Sequence, residues 1–120
     1  MISAGTLLRV LDNTGARYAQ CIKVLRNKKR ALVGDKIIVV IKRGIAHKRV
    51  KKHQIHAALV IRNATNSRRS DGSYTKWIGG ACVLVNKQNA PLGKRILGPL
   101  NKDLRNQGHL KIISISSLAI

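Results

Sequence analysis

Six short runs rich in Ile, Leu, Val and Ala, at residues 6–11, 19–25, 36–42, 56–62, 81–85 and 111–116, are separated by turn residues or basic clusters. This spacing constrains the fold more than any other feature. Each run is strand-sized, and even the strongest, Ile37 to Ile41, is too short for an amphipathic helix. Repeated short strands with turn signals favour a small barrel or sandwich over parallel βαβ units. A closed barrel would also remove the open edges that such runs expose. Asp12-Asn13-Thr14-Gly15 and Gly34-Asp35 read as turns between them. The helical signal is late: Asn101 as a cap, a helix over residues 102–107, and Gly108 as its stop.

Between the fourth and fifth runs lies RNATNSRRSDGSYTKW, residues 62–77. Asp71-Gly72 is a favoured pair for a two-residue hairpin turn. Arms running back to Arg62 and Ala81 make a ribbon on the order of 25–30 Å long at ~3.3 Å per residue. Its outer arms are too polar to bury a face, so the finger needs something to lie against. The expected organisation is a single domain over residues 1–120, with the hairpin at about 62–81 and the helical segment at about 101–107. Apolar residues make up 44% of the chain with no Phe, so the core must be aliphatic. Cys21 and Cys82 each sit in an apolar run. In a sequence showing no secretion signal they read as two buried thiols rather than a disulfide.

Charge narrows the function. The 24 Lys and Arg face four acids, a formal net charge of +20 that opposes compaction unless a polyanion neutralises it. A membrane partner would call for a spanning run or a basic amphipathic helix, and neither is present. Nucleic acid is the expected partner. Catalysis does not fit the acid census. Asp12, Asp35 and Asp71 occupy turn-like positions, and Asp103 suits the first turn of the late helix. No catalytic residue is assigned. Nor is a metal or cofactor: His53-x-x-His56 on a strand points its imidazoles to opposite faces, and no Cys-x-x-Cys exists. His47, His53, His56 and His109 instead extend the basic surface.

The bases cluster in expected loops. Lys28, Lys29 and Arg30 lie in RNKKR; Lys42, Arg43, His47, Lys48, Arg49, Lys51 and Lys52 lie in KRGIAHKRVKK. Arg68, Arg69, Lys76 and Trp77 belong to the finger, and GKR spans residues 93–95. An ordinary solvated face intersperses both signs, so the near absence of acids assigns these clusters to phosphates. Tyr18, Tyr74 and Trp77 are too few for a series of stacking platforms. A recognition helix for DNA is also missing. The pattern points to folded RNA read by backbone and shape, with Trp77 either stacking on a base or packing on the barrel.

Taken in order, LDNTGARYAQCIKVL (residues 11–25), VGDKI (33–37), VKK (50–52), ALVIR (58–62), RRSDGS (68–73), ACVLV (81–85), PLGKRILGP (91–99) and KIIS (111–114) resemble the large-subunit ribosomal protein L-fourteen family. The resemblance covers essentially the whole chain. It implies an all-β fold, a small five-stranded antiparallel barrel with a projecting hairpin and short C-terminal helices. It implies a structural constituent of the large subunit that binds large-subunit ribosomal RNA near the intersubunit face and bridges to small-subunit ribosomal RNA. Ribosomal proteins of the L-three and L-nineteen families are the implied neighbours. Lys94, Arg95 and Lys111 fall on the surface where a ribosome silencing factor docks in that family. Departures include Trp77 for Phe or Tyr, Gly80 for Asn, Ser70 for Pro, and Lys94 for Thr, which bears on any contact needing a hydroxyl there. Basicity, the lack of Glu and the unusual tail favour a mitochondrial ribosome, with plastid or bacterial cytoplasm as the alternatives. A free-standing nucleic-acid chaperone or regulator is the competing class.

Overall fold

The computed structural model describes residues 2–26, 29–45, 50–64, 67–69, 71–116 and 119–120. Strands β1 (Leu7–Val10), β2 (Ala16–Val24), β3 (Lys36–Gly44), β4 (Ile55–Arg62), β5 (Ser67–Arg68), β6 (Tyr74–Thr75) and β7 (Ala81–Val85) precede helices α1 (Asp103–Asn106) and α2 (Leu110–Ile115). β1, β2, β3, β4 and β7 close into a barrel in that order, while β5 and β6 pair separately.

The five-stranded all-β architecture is therefore present, but not in wholly antiparallel form. Strand directions alternate round a closed ring, and an odd number of strands cannot alternate throughout. The mismatch falls at the seam, where β1 runs parallel to β7 with Arg9 opposite Ala81 and Val10 opposite Cys82. The other four pairings are antiparallel.

Alternate side chains fill the barrel: Leu8 and Val10, Ala19 and Cys21, Ile37, Val39 and Ile41, Ala58 and Val60, Cys82 and Leu84. Fully burying one such Ile or Leu contributes about 1.5–3 kcal/mol. Intervening residues of β4 and β7 are buried too. Leu59, Ile61, Ala81, Val83 and Val85 join Leu11, Ile96, Leu100, Leu104 and Ile112 in a second cluster. Both faces of these two strands are thus covered, one by the barrel interior and one by the C-terminal segment. That is why ALVI and ACVLV read as continuous apolar runs rather than alternating ones.

Residues 111–116, read from sequence as a sixth strand, instead form most of α2. A closed barrel leaves no free edge for another strand to join. Helical spacing lets Ile112 and Ile115 reach the second cluster together. Tertiary packing here overrides β propensity. The preceding signals hold better. Asn101 Oδ1 accepts the Asp103 amide at 3.0 Å, and Gly108 at φ +87° ends α1, where the His109 amide reaches the Leu104 carbonyl at 3.0 Å.

The finger also departs from expectation. Its ladder comprises Ser67 opposite Thr75 and Arg68 opposite Tyr74. The Arg69 amide donates to Ser73 O at 2.8 Å and the Gly72 amide to Arg69 O at 3.0 Å. Arg69 and Ser73 therefore close the turn, which is wider than the two-residue one expected for Asp71-Gly72. Gly72, at φ +89°, serves as the left-handed bulge residue that such loops require. Both cysteines are free and buried, and burial is the leading cause raising each thiol pKa. No helix among the described residues is long and apolar enough to cross a membrane.

Candidate nucleic-acid interface

Several exposed cations lie where strands end, while Arg9, Arg17 and Lys23 are exposed on β1 and β2 themselves. Lys42 and Arg43 lie at the close of β3, and Lys51 and Lys52 lead toward β4; all four are exposed. The root of this loop is pinned to the turn after β1. The Ile45 amide donates to Gly15 O at 2.8 Å and the Val50 amide to Thr14 O at 3.2 Å. The same turn holds the segment carrying Lys94 and Arg95, because Asn13 Oδ1 accepts their backbone amides at 2.8 and 3.4 Å. Lys94 and Arg95, for which the family resemblance implies a protein-docking surface, thus share one end of the barrel with the root of the Lys42–Lys52 loop. No local signal brings them together, since 81 residues separate Asn13 from Lys94.

Lys29 and Arg30 are exposed elsewhere. Their loop joins β2 to the start of β3, where the Leu25 amide donates to Lys36 O at 3.3 Å. From there β3 carries the chain roughly 20 Å, at ~3.3 Å per residue, from Lys36 to Lys42. The basic surface is therefore extended rather than a single patch, which suits several phosphates spaced along folded RNA. Lys28, His47, Lys48 and Arg49 lie outside the described residues. Lys111 is exposed at the start of α2, whereas it is the far end of that helix that reaches the Lys94 segment, the Ile96 amide donating to Ile115 O at 3.4 Å.

Within the finger, Arg68 and Lys76 are exposed but Arg69 is half-buried. Its guanidinium lies 3.5 Å from Asp103 through Nε and donates through Nη2 to the Ile120 carbonyl. The finger is held against α1 and the last residues by this contact and by Asn101 Nδ2 donating to Thr75 Oγ1 at 3.5 Å. What the ribbon lies against is partly its own chain. Sequence reading misses Asp103 as the partner because the pair is separated by more than thirty residues.

Trp77 is half-buried, and Arg62 stacks over its ring at 5.0 Å from the centroid. Arg62 Nε donates to Pro99 O at 2.7 Å, and burial, then Arg9, lowers the Arg62 pKa. One face of the indole is thus occupied within the chain. The hairpin itself carried the missed signal, since the Trp77 amide donates to Asn63 O at 3.2 Å, next to Arg62.

Asp71 is a turn acid, as sequence indicates. Its Oδ1 accepts the Ser73 hydroxyl at 2.6 Å and the Ser73 amide at 3.0 Å. These two bonds, the hydroxyl first, depress its pKa, with smaller help from Lys102 and Arg69. A depressed carboxylate stabilises the turn above its unfolded pKa, and the contribution is lost as pH falls through the folded value. Ser73→Ala is expected to move the Asp71 midpoint up toward its ordinary value in a carboxyl NMR titration. An unchanged midpoint would remove the hydroxyl as the main cause.

Among the described residues, no three His, Cys, Asp or Glu side chains converge as metal ligands. His53 stands in the turn before β4 at φ +69°, and His56 Nε2 lies 3.1 Å from Gln54 Oε1. Compared with known protein families, the chain matches the one described as Ribosomal protein L14p/L23e over residues 1–120.

Proposed function

The chain belongs to the ribosomal protein L14p/L23e family, and we propose that it binds large-subunit ribosomal RNA through the basic loops at the strand ends of its barrel. The family is one of structural ribosomal proteins of the large subunit, not of enzymes. The observation that carries the RNA reading is the exposure of Lys29, Arg30, Lys42, Arg43, Lys51 and Lys52 on loops anchored to a rigid barrel. Cations fixed in this way meet phosphates with little ordering cost.

The finer assignments rest on the same resemblance. The protein stands at the intersubunit face and bridges to small-subunit ribosomal RNA, with L-three and L-nineteen family proteins as neighbours. Lys94, Arg95 and Lys111 supply a docking surface for a ribosome silencing factor, with the ammonium of Lys94 in place of a hydroxyl. Strong basicity without Glu favours a mitochondrial ribosome over a plastid or bacterial one. Arg68 and Lys76 add phosphate contacts from the finger, while Arg69 braces it.

Sucrose-gradient sedimentation of the tagged chain tests this reading. The protein is expected to migrate with large subunits, and migration mainly away from them would favour a free-standing chaperone or regulator. A variant whose finger is cut back to a tight turn between Asn63 and Trp77 is expected to leave the barrel folded. Its incorporation should fall several-fold. Full incorporation of that variant would deny the finger a role in assembly.

A further inference from the structure

A cleft of about 840 Å³ opens between the β2–β3 connection, the segment after β7 and the link from α1 to α2. Arg26 of the RNKKR loop and Lys111 of the proposed docking surface both line it, but neither assignment uses its apolar walls or its amides. Its chemistry is of three kinds. Leu25, Leu59, Leu110 and Ile112 give it apolar walls. Arg26, Lys36 and Lys111 supply cations. Gln88, Asn89 and Gln107 bring side-chain amides to the same space.

The walls are built rather than incidental. Gln107 Nε2 donates to Val33 O at 3.1 Å. Its carboxamide lies where a Cβ on Gly34 would sit, so the glycine makes room for the amide. Arg26 and Asn89 both adopt positive φ, +65° and +61°. Such conformations cost energy in non-glycine residues and persist where the surrounding structure enforces them. The carboxylate at the cleft, Asp35, already accepts the Leu32 amide at 2.8 Å.

We infer that this cleft holds a single unstacked nucleotide of the RNA that the protein binds. The inference rests on the RNA-binding reading and goes further by naming a pocket and its occupant. A phosphate alone would be met by exposed lysines and would use neither apolar walls nor amides. A nucleotide uses all three: base faces lie on Leu25 and Leu110, base edges meet the amides, and the phosphate meets Lys36 and Arg26. RNA supplies such nucleotides in loops and bulges, where bases are splayed out of the stack. The excess of cations over the one engaged carboxylate favours this occupant over a protein segment.

The test uses assembled large subunits carrying the wild-type chain, Lys36→Gln or Gln88→Trp. The first variant removes a charge and keeps the stem; the second fills the cleft mouth from an exposed position. Base reactivity toward dimethyl sulfate is read along the RNA at nucleotide resolution. One unpaired base is expected to be protected by the wild-type chain and to gain reactivity roughly tenfold with either variant, as loss of one charge-assisted contact allows. Other protections should persist. If Gln88→Trp fails to assemble, Lys36→Gln decides alone. Unchanged reactivity with Lys36→Gln, or a cross-link from the cleft to protein instead of RNA, would overturn the inference while leaving the RNA-binding reading intact. A wild-type chain that protects no RNA at all would sink both.

Discussion

Replacing Asp12 with Ala is expected to destabilise the protein by about 3–5 kcal/mol, through two or more buried donors left without an acceptor. Asp12 is 5% exposed. Its Oδ1 accepts the Thr14 hydroxyl at 2.6 Å and the Thr14 amide at 3.2 Å, and its Oδ2 accepts the Leu84 amide at 3.1 Å. The last bond explains the size of the effect. Along the parallel seam the Arg9 amide donates to Gly80 O and the Leu11 amide to Cys82 O. Beyond Leu11 the chain turns away, and the side chain of Asp12 takes the next donor of β7. The carboxylate thus completes the ladder at the one pairing where strand directions do not alternate. Against a total stability of about 5–15 kcal/mol, such a loss is a large fraction of the whole. Asp12→Asn retains an oxygen for Leu84 and should cost less than the Ala variant. Equilibrium urea unfolding decides. A loss below about 1 kcal/mol for Asp12→Ala would show that water or backbone shifts replace the carboxylate.

Asp12 also marks how far sequence reading reaches. A turn acid bonding its own backbone was legible from Asp-Asn-Thr-Gly, and the Thr14 bonds agree. The bond to Leu84, 72 residues on, was not. Strand β7 is legible from end to end because ACVLV is buried on both faces and preceded by Gly79-Gly80. β2 begins at Ala16 rather than Ala19, because outward Arg17 and Tyr18 interrupt the apolar run without interrupting the strand. α2 is misread because IISI is locally β-prone, and only closure of the barrel makes a further strand impossible. Local pattern carries element type where burial is regular. It fails where the deciding neighbour is distant, as for Arg69 with Asp103 and Lys94 with Asn13.

That distinction bears on which cations meet RNA, and salt dependence separates them. Lys29, Arg30, Lys42, Arg43, Lys51, Lys52, Arg68 and Lys76 are exposed and sequence-assigned to phosphates. If these eight engage, log affinity for the RNA falls against log salt with a slope of roughly −6 to −7. Affinity then drops about 10³–10⁵-fold between roughly 50 and 200 mM salt. Single neutralisations partition the surface. Arg68→Gln or Lys52→Gln is expected to make the slope shallower by about one, because each releases one phosphate contact. Arg69→Gln should leave the slope nearly unchanged, since Asp103 and the Ile120 carbonyl already hold its guanidinium. Its effect should appear instead as earlier melting or faster proteolysis of the finger. Filter-binding titrations at several salt concentrations give all three slopes. A flat salt response would end the electrostatic account of binding. A full unit lost with Arg69→Gln would mean that RNA displaces Asp103, so that the brace opens when the particle assembles.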